Sequence, residues 1–431
     1  MTTAIVAPGR PLHGRLIVPG DKSISHRAVM LGGIARGETV VRNFLPSDDC
    51  RRTVAALRAM GRTIGELEID GRPALRITGD DGVLREPDDV VDCGNSGTTL
   101  RLLTGLVAGR PMCTVLTGDA SLRRRPMARV VDPLRAMGAQ IVGREEGRYA
   151  PLAVSGRRLK GAVTRLPMAS AQVKSALLLA GVSAEGRTTV IEPSRSRDHT
   201  ERMLQAFGVA VRVEEHTVSL DGPALLTATD VDVPGDLSSA AFLIAAALLV
   251  PGSEIVIERV GVNPTRTGLL DVLEAMGAPV RLDNRREVCG EPVADVVVRA
   301  APLRGVRVAG QLIPRLIDEF PILCVLAACA EGETVIDEAQ ELRVKESDRI
   351  RVMVEQLGRM GVAIEERPAG VRIVGPQRIR PGTADSRGDH RVAMAMAIAA
   401  LRADGPSTMA DVECVATSFP GFFPLLEMAQ A

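Results

Sequence analysis

A phrase of five residues, Leu-x-x-Met/Phe-Gly, returns along this chain at residues 57–61, 134–138, 204–208, 273–277 and 357–361, with a degenerate copy ending in Ala at 425–429. The final residues lie 77, 70, 69, 84 and 68 positions apart. Glycine just past an apolar stretch of helical period marks a helix C-terminus, where a residue without Cβ enters the left-handed region at little cost. β-Branched segments follow several copies, as in Ala278-Pro-Val-Arg-Leu282, and read as strands. A second phrase keeps step: an apolar stretch ends in Gly at 37, 109, 186, 252, 332 or 405, then Thr or Ser introduces a β-rich run. Stretches such as 28–35, 175–182, 242–250, 322–330 and 392–401 have no polar face, so their helices are expected to be buried all round. Each unit thus holds a buried helix, an amphipathic helix and several strands, an α/β (α+β) architecture too large for ankyrin or tetratricopeptide repeats.

A chain of 431 residues exceeds one ordinary domain, so two groups of three units are expected. Val18-Pro-Gly-Asp21 reappears as Val233-Pro-Gly-Asp236, and each copy opens a half. Residues 21–235 are the expected first domain, and residues 1–20 with 236–431 the second.

At 45% apolar and 25% charged, the chain is an ordinary soluble globular protein. Its 53 acidic residues balance 53 basic ones, and it has no Trp and one Tyr, which argues against a basic nucleic-acid binder or a base-stacking module. The longest apolar run, residues 240–250, stops at Pro251, short of the ~20 residues that cross a membrane. Seven scattered Cys without a C-x-x-C pair fit free thiols, and five His form no H-E-x-x-H, so no metal is expected. Residues 1–16 contain no apolar signal core, so a cytoplasmic location is expected. Only four of the 53 cations are Lys, at 22, 160, 174 and 345. Codon bias toward Arg explains most of that imbalance, but Lys survives where a compact ammonium is required.

The segments before the six buried helices carry the chemistry: Asp21-Lys-Ser-Ile-Ser-His-Arg27, Gly94-Asn-Ser-Gly-Thr-Thr-Leu-Arg101, Ala169-Ser-Ala-Gln-Val-Lys174, Gly235-Asp-Leu-Ser-Ser239, Ile317-Asp-Glu-Phe-Pro321 and Gly388-Asp-His-Arg391. Capping explains Ser, Thr and Asp there, and Ser238 and Ser239 are expected caps. It does not explain cations, which oppose the helix dipole. A shared anion does, because exposed N–H groups and a cation grip it together. Dipole effects contribute about 0.3–1 kcal/mol each, whereas micromolar binding needs about 8 kcal/mol. Several helix ends must therefore combine with Lys22, Arg27, Arg125, Arg197, Lys345, Arg349 and Arg391. Acid–base candidates are Asp318, Glu319, Glu346, Asp348, Asp389 and His390. Asp318 reads as a cap or a base, Glu346 as a member of an ion-pair network with Arg349, and His26 and His390 as core residues or ligands.

These segments, with Arg125-Pro-Met127, Arg197-Asp-His-Thr200, Arg343-Val-Lys-Glu-Ser-Asp-Arg349 and Thr417-Ser-Phe-Pro420, stand in the order found in the EPSP synthase (3-phosphoshikimate 1-carboxyvinyltransferase) family, which the chain resembles over nearly its whole length. The resemblance implies two domains of three β-α-β-α-β-β repeats, an EPSP synthase-like inverse α/β barrel, closing like a clamp on an active site in the interdomain cleft. It implies phosphoenolpyruvate and shikimate 3-phosphate as substrates, no cofactor, no nucleic-acid or membrane partner, and a monomer. Carried onto this sequence, Lys22, Ser23, Arg27, Ser170, the Ala171 backbone, Gln172, Arg197, Asp318 and Lys345 hold shikimate 3-phosphate. Lys22, Gly97, Arg125, Gln172, Arg349 and Arg391 cradle phosphoenolpyruvate. Asp318, with Lys345 beside it, faces the attacking hydroxyl, Glu346 is the proton donor, and Lys22 touches both substrates. Thr417 departs from members with Lys there, and Leu102 from members with Pro. The sister reaction on UDP-N-acetylglucosamine uses a Cys in the loop matching residues 118–125, which has none here. A non-catalytic phosphometabolite sensor is the other alternative, and intact Asp318, Lys345 and Glu346 argue against it.

Overall fold

The repeated phrase ends the same way five times. Gly61, Gly138, Gly208, Gly277 and Gly361 all have φ between 81° and 100°. In each copy the glycine N–H donates to the carbonyl three residues back, and the next N–H reaches the phrase's Leu carbonyl, at 2.9–3.0 Å. This paired closure satisfies the last carbonyls of the amphipathic helices Asp48–Ala59, Ala128–Ala136, His199–Ala206, Gly268–Ala275 and Arg349–Arg359. The degenerate copy closes Phe422–Ala429 without such a glycine.

The structure, a computed structural model, describes residues 2–79 and 83–431. The chain divides into two compact units: Gly20–Val233 with Val288–Glu291, hereafter the first unit, and Met1–Pro19, Pro234–Glu287 and Pro292–Ala431, the second. The first has buried helices Lys22–Ile34, Gly97–Ala108 and Ala171–Gly181; the second has Leu237–Leu249, Phe320–Cys329 and His390–Ala400. All thirteen residues of Leu237–Leu249 are buried, as its unbroken apolar sequence requires. Each Leu, Ile or Phe so enclosed contributes about 1.5–3 kcal/mol. Close backbone packing sets one pair: a Cβ on Gly105 would lie 2.1 Å from the Ala176 carbonyl oxygen, so only glycine lets Gly97–Ala108 and Ala171–Gly181 meet there.

Six small sheets surround these helices among the described residues, five of four strands and one of three. One pattern recurs. Val91–Asp92 runs parallel to Cys113–Thr117, which pairs antiparallel with Tyr149–Ser155, which pairs antiparallel with Gln140–Gly143. Three sheets are completed from far along the chain. Val231–Asp232 lies parallel to Glu38–Arg42 in the first unit. In the second, His13–Leu16 lies parallel to Glu254–Gly261, and Thr3–Val6 pairs antiparallel with Ser407–Ala410. The sixth repeat therefore departs from the four-strand pattern: its sheet holds three strands, one of them from the start of the chain.

Candidate functional site

In the first unit, each buried helix begins with a partly open turn: Lys22 and Ser23, then Thr98, then Ala171 and Gln172 are half-buried, while the residues that follow are enclosed. Asp21 caps the first of these helices, accepting from Ile24 N at 2.9 Å. Lys22 Nζ lies 3.0 Å from Asp49 Oδ2. One turn on, Arg27 is 4% exposed and spreads its fork over neutral groups: Thr200 Oγ1 at 2.6 Å, the Ser23 carbonyl at 2.9 Å and Ser175 Oγ at 2.7 Å. Burial, with Arg197 adding repulsion against attractive Glu201, Asp21 and Glu291, pushes its pKa down to about 10. An anion settling against Arg27 and Arg197 would relieve both costs. His26 is a core residue: its Nδ1 lies 2.7 Å from Thr53 Oγ1, and burial, then Lys22 and Arg27, hold its pKa well below the ordinary value.

Ser96 caps the second helix through Thr99 N at 3.1 Å, and Ser170 caps the third through Val173 N at 3.5 Å. Between them Arg101 Nη1 donates to Gln172 Oε1 at 2.7 Å and Nη2 to the Pro126 carbonyl at 3.3 Å, while Gln172 Nε2 donates to Thr98 Oγ1 at 3.1 Å. Arg125 donates to Asn95 Oδ1 at 2.5 Å. A Cβ on Gly97 would stand 2.8 Å from Arg101 Nη1 and 3.3 Å from Arg125 Nη1. Gly97 is thus the floor on which two guanidinium groups lie, and Gln172 is aimed by Arg101.

In the second unit, Arg349 opens the helix Arg349–Arg359, which Asp348 caps through Arg351 N at 3.1 Å. Its side chain is 1% exposed and meets three carboxylates: Asp389 Oδ2 at 2.8 Å, Glu346 Oε2 at 2.6 Å and Asp318 Oδ1 at 3.4 Å. Burial alone would lower its pKa, but Asp389, Glu346 and Asp318 outweigh that and hold it above the ordinary arginine value. Asp389 also caps the last buried helix through Arg391 N at 3.0 Å. Arg391 reaches Asp318 twice, through its carbonyl at 3.2 Å and Oδ2 at 3.7 Å.

The structure corrects two expectations. Ser238 and Ser239 are not the caps of their helix. Asp236 is, accepting from Ser238 N at 2.7 Å, while the Ser238 hydroxyl donates to Glu319 and accepts from Arg266 Nη2 at 2.6 Å. Asp318 is no cap either: the helix behind it has no side-chain cap and starts with Pro321 in its first turn. Lys345 Nζ lies 3.3 Å from Glu341 Oε1. Sequence reading missed Arg101, although it stands four residues past Gly97, one helical turn along. It also missed Asp49 and the buried acids Glu192 and Glu201. Among the described residues, no three His, Cys, Asp or Glu converge to hold a metal ion, and no helix is long and apolar enough to cross a membrane.

Residues 6–426 match the family model of EPSP synthase (3-phosphoshikimate 1-carboxyvinyltransferase). The chain is 55% identical over 433 residues to a 3-phosphoshikimate 1-carboxyvinyltransferase of Geobacter metallireducens, covering 100% of each. It is 56% identical over 421 residues to one of Gloeobacter violaceus, covering 97% of this chain and 96% of the relative. Among solved structures, EPSP synthase from Acinetobacter baumannii superposes with a TM-score of 0.88 at 44% identity, over 99% of this chain and 98% of that one. The enolpyruvyl transferase NikO from Streptomyces tendae shares the fold, with a TM-score of 0.79 at 19% identity over 99% and 96% of the two chains.

Proposed function

This chain belongs to the EPSP synthase family, and on that premise we infer that it transfers the carboxyvinyl group of phosphoenolpyruvate to the 5-hydroxyl of shikimate 3-phosphate, releasing 5-enolpyruvylshikimate 3-phosphate and inorganic phosphate. The observation that carries the reading is the buried Arg27 fork held by neutral groups beside Arg197, a site charged in advance for a phosphoryl group. Lys22, Ser23, Ser170, the Ala171 N–H and Gln172 line the open first turns around it and complete the grip on shikimate 3-phosphate. Gly97 and Arg125, with Lys22, Gln172, Arg349 and Arg391, take phosphoenolpyruvate. Lys345 and Asp318 attend the shikimate hydroxyls.

The chemistry asks for one carboxyl that gives a proton to C3 of the enol and one that takes a proton from the attacking 5-hydroxyl. Asp318, 3.4 Å from Arg349 and 3.7 Å from Arg391, takes the hydroxyl proton. Glu346 accepts from Arg349 Nη2 at 2.6 Å. Phosphoenolpyruvate, bearing both carboxylate and phosphate, competes for that same fork. Glu346 is the carboxyl that gives the proton to C3. Protonation of C3 leaves C2 electron-poor and the hydroxyl adds there as its own proton passes to Asp318; the tetrahedral adduct then expels phosphate while the C3 methyl gives a proton back to the Glu346 carboxylate, which restores the C2–C3 double bond. Cations at Lys22, Arg125 and Arg391 follow the charge as it moves onto the leaving group.

The test is phosphate release with shikimate 3-phosphate and phosphoenolpyruvate, coupled to a colour reaction. Release that requires both substrates supports the assignment. Turnover only with UDP-N-acetylglucosamine as acceptor would replace it, and binding without any turnover would leave a sensor.

A further inference from the structure

Lys174 lies one turn into the helix Ala171–Gly181 and is 2% exposed, in a chain that has almost no lysine. Its Nζ meets three acceptors: Glu192 Oε2 and Glu201 Oε1, each at 2.7 Å, and the Ser196 carbonyl at 3.4 Å. Both acids are as buried as the lysine. Glu192 reaches back to the same residue, accepting from the Ser196 hydroxyl and from Ser196 N at 3.4 Å. Residue 196 is therefore held at its carbonyl, its N–H and its side chain by one ion pair, and the next residue is Arg197. Glu201 belongs to the first turn of His199–Ala206, beside Thr200, whose hydroxyl accepts from Arg27 and donates to Ser175 at 2.7 Å. On its own helix, Lys174 N donates to the carbonyl of the cap Ser170 at 3.0 Å.

We propose that Lys174 is a positioning residue for shikimate 3-phosphate: without touching it, the buried ammonium fixes the Ser170–Gln172 turn, the Arg197 loop and the Thr200 partner of Arg27 relative to one another. This rests on the function inferred above. Three groups on separate segments must meet one phosphoryl group, and misplacing any by an ångström weakens them all. The chemistry also accounts for lysine here. Two carboxylates and a carbonyl surround one point, which a tetrahedral ammonium can serve, whereas a guanidinium presents its donors in a plane. A buried charge of this kind is poor evidence for stability as such, since an apolar replacement of the whole cluster can be as stable. Geometry is what it secures.

The experiment measures phosphate release with both substrates for the wild type, Lys174→Met and Ser196→Ala. For folded Lys174→Met, KM for shikimate 3-phosphate rises about tenfold, KM for phosphoenolpyruvate, which shares only Gln172 with this cluster, rises no more than about threefold, and kcat stays within about twofold. Unchanged constants, or constants that all move together, would overturn the proposal, because a purely structural role has no reason to single out one substrate. Ser196→Ala removes only the hydroxyl that Glu192 holds and keeps the question open to test if Lys174→Met does not fold. It should raise the same KM about threefold, and no selective change would overturn the proposal on its own. A wild type inactive with this substrate pair would bring down the function assignment and this inference together. An active wild type with indifferent variants brings down this inference alone.

Discussion

Arg27 in the first unit and Arg349 in the second are both enclosed, at 4% and 1% exposure, and their surroundings treat the charge in opposite ways. Arg27 is bound by two hydroxyls and a carbonyl, and its pKa is pushed down to about 10. Arg349 is bound by three carboxylates, and its pKa is raised. The first arrangement meets the charge at hydrogen-bonding distance with neutral groups, which suits the arrival of an anion. The second is answered already, by three carboxylates that converge on one guanidinium. One buried guanidinium is met by neutral groups and the other by acids.

The contrast can be broken at several points. The largest effect should come from Asp318→Asn, which keeps the shape and removes the base: kcat falls by about 10²–10⁴, while titration shows shikimate 3-phosphate affinity nearly unchanged. Normal turnover would end its assignment as the base. Next comes Arg349→Met, which strands three acids around an apolar side chain and should cost about 3–5 kcal/mol in urea unfolding. Arg27→Met should cost less stability, about 1–2 kcal/mol, since only neutral partners are left behind. Equal losses for the two variants would show that the difference in partners does not matter. Arg27→Met should instead appear in binding, raising KM for shikimate 3-phosphate by about 10–100-fold, the worth of charge-assisted hydrogen bonds at 1.5–3 kcal/mol. Gly97→Ala is the smallest. Its methyl would meet the ends of Arg101 and Arg125, both flexible side chains, so KM for phosphoenolpyruvate should rise a few-fold with KM for shikimate 3-phosphate unaffected. The reverse selectivity would reassign Gly97 to the other substrate.

How much of this was legible depended on distance along the chain. The Leu-x-x-Met/Phe-Gly phrase disclosed five helix ends because a left-handed glycine closure is a local event written in consecutive residues. Six buried helices showed as apolar runs for the same reason. The motif residues of the first unit were visible at their helix starts, but Asp236 taking the cap from Ser238 was not, since both residue types cap well and only tertiary partners, Glu319 and Arg266, decide between them. Arg349 could be seen beside Glu346 three residues away, but Asp318 and Asp389 arrive from 31 and 40 positions off. Lys174 stood inside a motif, yet nothing nearby in sequence revealed that Glu192 and Glu201 would enclose it. Strand order was the least legible. The short strands Val231–Asp232, His13–Leu16 and Thr3–Val6 carry too little pattern to say which sheet they join.

Those three strands impose a timetable on synthesis. As the chain leaves the ribosome, the sheet begun by Glu38–Arg42 must wait for Val231–Asp232, so the first unit cannot complete that sheet until its whole length has emerged. Thr3–Val6 and His13–Leu16 are made earlier still, but their partners are Ser407–Ala410 and Glu254–Gly261. Made before the first unit, these strands meet their partners only after it, and their edges stay unpaired while it folds. Pairings this distant slow folding and leave edges open to other chains. A brief pulse of protease during translation should cut within residues 3–16 long after the first unit has become resistant.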